Sequence, residues 1–358
     1  MPRFLESVKP VVRDFWRGLT TPDVVAVKMA AVLLLVALGG LSVAAERFRR
    51  QIESGSVDWR SVPDDFCRAS VLAMRGAPRE CDPVARTIIF VGPSAMRDWL
   101  PPDKDTDAVA SAAAGGPVRV LAMCGARQGC AAAAALIDHF GSDFNGWFVI
   151  GVTRQMIACR RNASDTMRRR RESQELGFHS DLHRHISAAL GHPQEIETGW
   201  ELWDHRRFHY HSLLKPGLGL PRRMPRLQLG KPPDTATPRR DEYENVGPMD
   251  LELLDRHLTV LRELAKHVRG RGRARLALVE TPWEEHLVLD RQSPEQAQDE
   301  AAYRRRMKAW SDHEDVPWIT APTTFPATSS DFRDSRHVGS LSLRHRFLEV
   351  VVQELSTR

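Results

Sequence analysis

One uncharged apolar run near the start of the chain constrains its fold more than any other feature. Residues 29–45 read MAAVLLLVALGGLSVAA and contain no charged side chain. Residues 24–27 extend the run, and the Lys28 side chain can reach the headgroups from within a helix. Because about 20 apolar residues cross a bilayer, the run predicts one transmembrane helix over residues 24–45. A buried core helix is the alternative, but such a helix normally has a polar face.

The span is expected to be an uncleaved anchor. Ser42-Val43-Ala44 resembles a signal-peptide cleavage site, but residues 1–28 make a long leader. The basic residues before the apolar run are Arg3, Lys9, Arg13, Arg17 and Lys28, and those just after it are Arg47, Arg49 and Arg50. This excess favours a cytoplasmic N-terminus in a bacterial-type inner membrane, with the large domain in the periplasm.

The composition of the whole chain is that of a globular protein. Apolar residues make up 42% and charged residues 27% of the 358 positions, which excludes a collagen-like, wholly disordered or polytopic membrane protein. The net charge of +5 is too small to indicate a nucleic-acid partner, and we expect none. We divide the chain into a cytoplasmic segment (1–23), the span (24–45), a polar stalk (46–84) and one large domain (85–358).

The cysteines form no CxxC pair, which argues against a structural zinc site. They are Cys67, Cys81, Cys124, Cys130 and Cys159. A periplasmic domain would permit disulfides. Cys67 with Cys81 is then one expected pair, and Cys130 with Cys159 a second, which leaves one thiol over.

Short β-branched runs alternate with helical segments through most of the large domain. Strands are predicted at 87–91, 118–123, 147–152, 275–280 and 318–319, and helices at 130–140, 249–268, 294–312 and 340–355. This alternation predicts an α/β fold, a mainly parallel sheet between two layers of helices.

An insertion interrupts the alternation at residues 155–245. Half of the 14 histidines lie between positions 179 and 211, and two groups share one spacing. The groups are His179, His183 and His185, and His205, His209 and His211. Histidines at i and i+4 share a helix face and can bind zinc, but no converging Cys or carboxylate accompanies them. We therefore predict a polar or partner-facing surface and no metal site.

A run of arginines in the insertion, residues 168–171, has two interpretations. It could bind acidic polysaccharide or anionic lipid headgroups. It could equally be a solvated helix face without a ligand.

A serine follows the first predicted strand. The strand ends in Gly92-Pro93-Ser94. The carboxyl ends of parallel strands are where ligands bind in such sheets, and Ser94 would start the next helix, whose N–H groups favour negative charge. By itself this pattern also fits a turn with a helix cap.

A carboxylate and an imidazole stand close together near the end of the chain, as Asp334-x-x-His337. The imidazole could take a proton from a serine while the carboxylate fixes its tautomer. Asp331 is a competing orienting residue, but its spacing from the histidine is unsuitable. A salt bridge or helix cap is the alternative reading of the pair.

Together, the serine after the first strand and the DxxH before the last helix resemble the SGNH (GDSL-like) hydrolase superfamily. Residues 303–348 look like the C-terminal block of membrane-anchored members linked to acylation of envelope polysaccharides. The resemblance covers roughly residues 86–156 and 248–356. It implies a flavodoxin-like α/β/α sandwich in which Ser94 is the nucleophile, His337 the general base and Asp334 its orienting partner.

The resemblance does not decide which residues form the oxyanion hole. The family's second block supplies a glycine, for which Gly125 and Gly129 are both candidates. The third block supplies an Asn, but Thr153 and Arg154 occupy that region here. Thr153 could offer a hydroxyl donor, and Arg154 a stronger one. The first block also departs from the family's pattern, because Pro93 stands where the family has Asp.

These features predict a membrane-anchored, periplasmic serine esterase or O-acyltransferase of the cell envelope, without a cofactor. Its expected substrate is an acylated, most simply acetylated, polysaccharide or an acyl donor. The alternative is a non-catalytic envelope component that binds glycan or partners an integral-membrane acyltransferase or exporter. The absent Asn favours this alternative, whereas the intact Ser, Asp and His oppose it.

Overall fold

A single parallel sheet organises the part of the chain that can be described. The computed structural model describes residues 22–56, 86–125, 130–140, 144–159, 181–189, 249–281, 294–320, 329–332 and 338–358. The strands are β1 (Arg86–Pro93), β2 (Val118–Gly125), β3 (Gly146–Val152), β4 (Ala274–Glu280) and β5 (Trp318–Ile319). They form a five-stranded sheet in the order β2-β1-β3-β4-β5, and each neighbouring pair is parallel. The predicted α/β class and parallel sheet are confirmed.

The strand order reverses direction at β1. From β1 the chain crosses to β2 on one side and then returns to β3 on the other. Val91 pairs with Met123 of β2 and with Ile150 of β3, so these strands end at the same edge of the sheet. In open α/β sheets, ligands bind in the crevice outside the carboxyl ends of the strands at such a reversal. A ligand site is therefore expected in the crevice between β1 and β3.

Helices follow most of the strands. They are α1 (Pro22–Glu53), α2 (Ser94–Trp99), α3 (Asp103–Ala114), α4 (Cys130–His139), α5 (Arg154–Ile157), α6 (Asp181–Ala189), α7 (Leu251–Arg269), α8 (Pro294–Glu314) and α9 (Leu341–Ser356). Helix α3 was not predicted, because its Ser, Thr and Asp residues obscure the apolar face that holds Ala110. It ends at Gly115, whose φ of 66° suits a residue without a Cβ.

Both faces of the sheet are covered, because successive strand residues point to opposite sides. Ile89 and Val91 of β1 belong to a core shared with α4, α7 and α8, and Ile186 of α6 is buried in the same core. Ile88 and Phe90 belong to a second core, shared with α2, α3 and α9. Helix α6 thus attaches a piece of the predicted insertion to the first face.

Helix α1 contains the whole apolar run near the start of the chain, residues 24–45. Its exposed large apolar side chains are Val27, Met29, Val32, Leu33, Leu34, Leu35, Val36 and Val43. Within the residues that the structure describes, no helix meets the length and apolarity required to cross a membrane. Several side chains in the predicted span, residues 24–45, lie outside the description, and the span stays a prediction.

One disulfide expectation is wrong. Cys130, at the start of α4, and Cys159, after α5, are both free, buried thiols. Burial raises the pKa of the Cys130 thiol to about 12, so this sulfur is a core group. Cys159 instead joins Met249 through its backbone in an isolated antiparallel bridge. The other expected pair, Cys67 with Cys81, lies outside the described residues.

Candidate active site

Ser94 stands at the sheet's carboxyl edge, as the first residue of α2 directly after β1. The turn into the helix depends on Gly92, whose φ is 154°. A Cβ on Gly92 would lie 3.2 Å from the backbone of Gly151 on β3, tighter than most real contacts. The absence of a side chain at position 92 therefore lets β1 end close to β3 and present Ser94 there.

The end of β3 packs directly against the helix that Ser94 begins. A Cβ built on Gly151 would lie 2.9 Å from Cγ of Met96, and Met96 is fully buried. Glycine at position 151 therefore makes room for the Met96 side chain. The carboxyl end of β3 is therefore in direct contact with α2, the helix that Ser94 begins.

Gly125 and Thr153, two of the residues predicted for the oxyanion hole, lie on strands or turns on either side of Ser94. Gly125 ends β2 and is the register partner of Pro93. Thr153 follows β3 and is buried. Its Oγ1 accepts a hydrogen bond from the Met156 N–H at 3.2 Å, which caps α5. The roles of Gly125 and Thr153 stay predictions, and Gly129 lies outside the described residues.

Asp334 and His337 also lie outside the described residues, but both flanks of their segment are held in place. Phe332 and Val338 form an isolated antiparallel bridge. The carbonyl oxygen of Asp331 accepts hydrogen bonds from the N–H groups of Gly339 and Ser340, at 2.7 and 3.1 Å. These bonds hold the backbone before the segment against the backbone after it. The Asp331 carbonyl oxygen thus joins the two flanks of the segment.

The first flank also contacts the helix that Ser94 begins. Trp99 ends α2, and its ring packs edge to face on Phe332, with centroids 6.0 Å apart. Phe347 of α9 packs on the same indole at 5.3 Å. All three rings are buried in the second core. The structure therefore brings the start of the DxxH segment to the helix of the predicted nucleophile.

A buried chain of charges, missed in the sequence, lies at the carboxyl ends of β3 and β4. Glu280 ends β4 and is fully buried. Its Oε2 lies 3.2 Å from Nη1 of Arg304, whose Nε lies 2.8 Å from Oε1 of Glu300. Oε2 of Glu300 in turn lies 3.7 Å from Nε of Arg154. Two sequence features could have indicated these ion pairs. They are the charged Glu280 at the end of an apolar strand, and Glu300 and Arg304 four residues apart on α8.

Tyr303 lies in the middle of this chain and is fully buried. Burial, together with the negative charges of Glu280 and Glu300, raises the pKa of the phenol well above its ordinary value. Among the described residues, its hydroxyl has no hydrogen-bond partner. Tyr303 is therefore a neutral phenol beside the buried charges.

A shallow groove of about 550 Å³ runs along the edge strand β5. It is lined by Arg304, Arg305, Lys308, Ala309, Asp312, Trp318 and Thr320.

No group of His, Cys, Asp and Glu side chains suited to a metal ion occurs in the described part of the chain, which omits most of the histidine groups.

No protein-family model matches this chain, and no curated protein matches its sequence.

Proposed function

We propose that the protein is a membrane-anchored, periplasmic serine esterase or O-acyltransferase of the SGNH type. Ser94 is the nucleophile, His337 the general base and Asp334 the residue that orients His337. The substrate is an acylated, most simply acetylated, polysaccharide of the cell envelope. No cofactor enters the reaction.

The position of Ser94 is the observation that carries the proposal. It begins α2 at the carboxyl end of β1, beside the strand-order reversal between β1 and β3. Ligand sites of parallel α/β sheets lie at this point. The register of β1 with β2 and β3 brings Gly125 and Thr153 to the same edge on either side. We propose Gly125 as one donor to the developing negative charge, with Thr153 as a candidate for a second.

The packing around Trp99 supports the choice of His337 and Asp334. Phe332 and Val338 are bridged to each other, and Phe332 contacts the last residue of α2. Phe332 and Val338, the described residues on either side of this segment in the sequence, share one buried core with Met96 and Trp99 of α2. This shared core is the support for choosing a base and its orienting residue from the segment between Phe332 and Val338.

The reaction runs through an acyl-enzyme. The Ser94 oxygen attacks the ester carbonyl carbon while His337 takes its proton. The C–O bond to the leaving alcohol breaks, and His337 returns the proton to that alcohol. Water or a sugar hydroxyl then attacks the acyl carbon, with its proton taken by His337, and Ser94 is released protonated. Water as acceptor makes the protein an esterase, and a sugar makes it a transferase.

The proposed anchor is the apolar run at residues 24–45, with the catalytic domain facing the periplasm. The uncharged stretch and the exposed valines and leucines of α1 support this placement. An anchor would hold the domain beside the envelope polysaccharide and beside an integral-membrane acyltransferase that supplies acyl groups.

A fluorophosphonate probe tests the proposal directly. The full-length chain, purified in detergent, is incubated with the probe and analysed by intact-mass spectrometry and peptide mapping. We expect one adduct on Ser94 and none in Ser94→Ala or His337→Ala. A folded wild-type protein that gains no adduct contradicts an activated serine.

One observation favours the non-catalytic alternative. Thr153 stands where the family has Asn, and its oxygen is used as the cap of α5. A protein without an oxyanion donor there could retain the fold only to bind glycan or a membrane partner. In that case Ser94→Ala would co-purify with the same envelope partner as the wild type, and neither would label.

A further inference from the structure

We propose that Arg154 stabilises the oxyanion of this reaction in place of the missing Asn, and that Glu300 is its positioning residue. The inference rests on the proposed function. It assigns to a buried charge chain the task of holding one guanidinium at the crevice between β1 and β3.

The register of the sheet brings Arg154 to the crevice. Val91 of β1 pairs with Ile150 of β3. The next residues are also close, because a Cβ built on Gly92 would lie 3.2 Å from the Gly151 backbone. Ser94 and Thr153 each follow two residues after this contact. Arg154 is the next residue, at the start of α5. Its long side chain therefore originates beside the residue that begins α2.

The burial of Arg154 makes its charge effective. The residue is 8% exposed. A charge removed from water interacts more strongly with a nearby negative charge than one at the surface. Burial also costs free energy, which a purely structural role would avoid with apolar side chains of similar size. A preorganised cation beside the reacting carbonyl gives this cost a function.

The charge chain holds the Arg154 guanidinium in place. Glu300 contacts Arg154 at Nε, and Arg304 holds Glu300. Glu280 holds Arg304 in turn, and Glu280 sits on the backbone of β4, which pairs with β3. Two carboxylates and two guanidinium groups balance, so the chain adds no net charge to the core. Arg154 is thus tied to the rigid sheet through α8.

The chemical role of Arg154 requires no proton transfer. When Ser94 attacks, the carbonyl π electrons move onto oxygen, and the guanidinium donates hydrogen bonds to that oxygen while remaining protonated. The same applies to a fluorophosphonate. There the Ser94 oxygen loses its proton to His337 and bonds to phosphorus, fluoride leaves, and the phosphoryl oxygen carries the added charge during the displacement.

The test measures the rate of Ser94 labelling by a fluorophosphonate in the full-length chain in detergent. Removing one oxyanion donor costs about 10²–10³ in rate, so Arg154→Met is expected to label that much more slowly. Arg154→Lys keeps the charge without the planar fork and is expected to label about tenfold more slowly. Glu300→Gln keeps its size and should also slow labelling, because Arg154 loses its anchor.

Arg271→Met is the matched control. Arg271 also forms a partly buried ion pair, with Asp138 at 2.6 Å, and it donates to the carbonyl of Ile137. It precedes β4 and so lies at the opposite edge of the sheet. Its loss should lower stability but leave the labelling rate of the folded protein within twofold of wild type. Folding is checked by near-UV circular dichroism.

The outcomes separate this inference from the proposed function. Wild-type labelling with unchanged rates in Arg154→Met and Arg154→Lys overturns the role of Arg154 and leaves the esterase proposal standing. Equal slowing in Arg271→Met reduces the effect to general destabilisation and also overturns it. Absence of labelling in the wild type overturns both. If Arg154→Met does not fold, the Arg154→Lys rate decides.

Discussion

Trp99 and Phe332 pack edge to face, with ring centroids 6.0 Å apart and an interplanar angle of 71°. Trp99 ends the helix that begins at Ser94, and Phe332 precedes the segment with Asp334 and His337. Their contact joins two parts of the chain that lie more than two hundred residues apart. It links the helix of the predicted nucleophile to the flank of its predicted base.

Replacing Phe332 by leucine should slow the chemistry at Ser94 as well as lower stability. The smaller side chain loosens the contact with Trp99, so we expect a loss of about 1–2 kcal/mol in the free energy of unfolding. Phe347→Leu is the control, because Phe347 also packs on Trp99 but from the body of α9. Urea unfolding should show similar losses for both variants, whereas fluorophosphonate labelling should slow several-fold only in Phe332→Leu. Equal labelling of the two would argue against the link.

Adding a methyl group at Gly151 should disturb the helix of Ser94. The new Cβ would lie 2.9 Å from Met96, and overpacking a core costs about 1–3 kcal/mol. Gly151→Ala should therefore melt earlier and label more slowly. Shortening Met96 to alanine in the same chain should recover part of the labelling rate. Gly116→Ala, whose Cβ meets nothing within 4 Å, should match the wild type.

Breaking the pair between Arg304 and Glu280 should be costly because Glu280 has no access to water. Removing one partner of a buried pair costs about 3–5 kcal/mol, and we expect Arg304→Met to lose that much in urea unfolding. Changing both residues to methionine should restore much of the loss, since apolar pairs often replace buried ion pairs without cost. A double variant no more stable than Arg304→Met would show that the pair is not coupled. The exposed pair of Arg256 with Glu252 is the control, and its loss should cost less than about 1 kcal/mol.

Acid should weaken the protein partly through Glu314. The hydrogen bond from Arg262, at 2.5 Å, lowers the pKa of this buried carboxyl below its ordinary 4.5. The unfolded chain therefore binds a proton more readily than the folded one, so this stabilisation is complete above pH 4.5 and is lost as pH falls through the lowered pKa. Arg262→Met should lose about 1.5 kcal/mol at pH 7, and its urea midpoint should fall less between pH 6 and pH 3.5 than that of the wild type. An identical acid response in both proteins would contradict this assignment.

Local sequence patterns predicted most of the sheet because its strands are short, buried and β-branched. The runs at 87–91 and 147–152 correspond to β1 and β3 to within a few residues. Helix α3 escaped notice, since its apolar face consists mainly of small alanines. The charge chain was not predicted for a different reason. Glu300 and Arg304 look like surface residues of a charged helix, and only the fold buries them against Glu280.

The sequence by itself determined the α/β class, the parallel sheet and the place of Ser94 directly after its first strand, because these depend on periodicity and turn residues that are local in the chain. The tertiary structure decided that β3 lies beside β1, that Gly151 packs on Met96, and that Trp99 meets Phe332. It also decided that Cys130 and Cys159 remain thiols and that Arg154 is tied to β4 through α8. Each of these depends on which distant segments share a core, a property of long-range packing that no local pattern encodes.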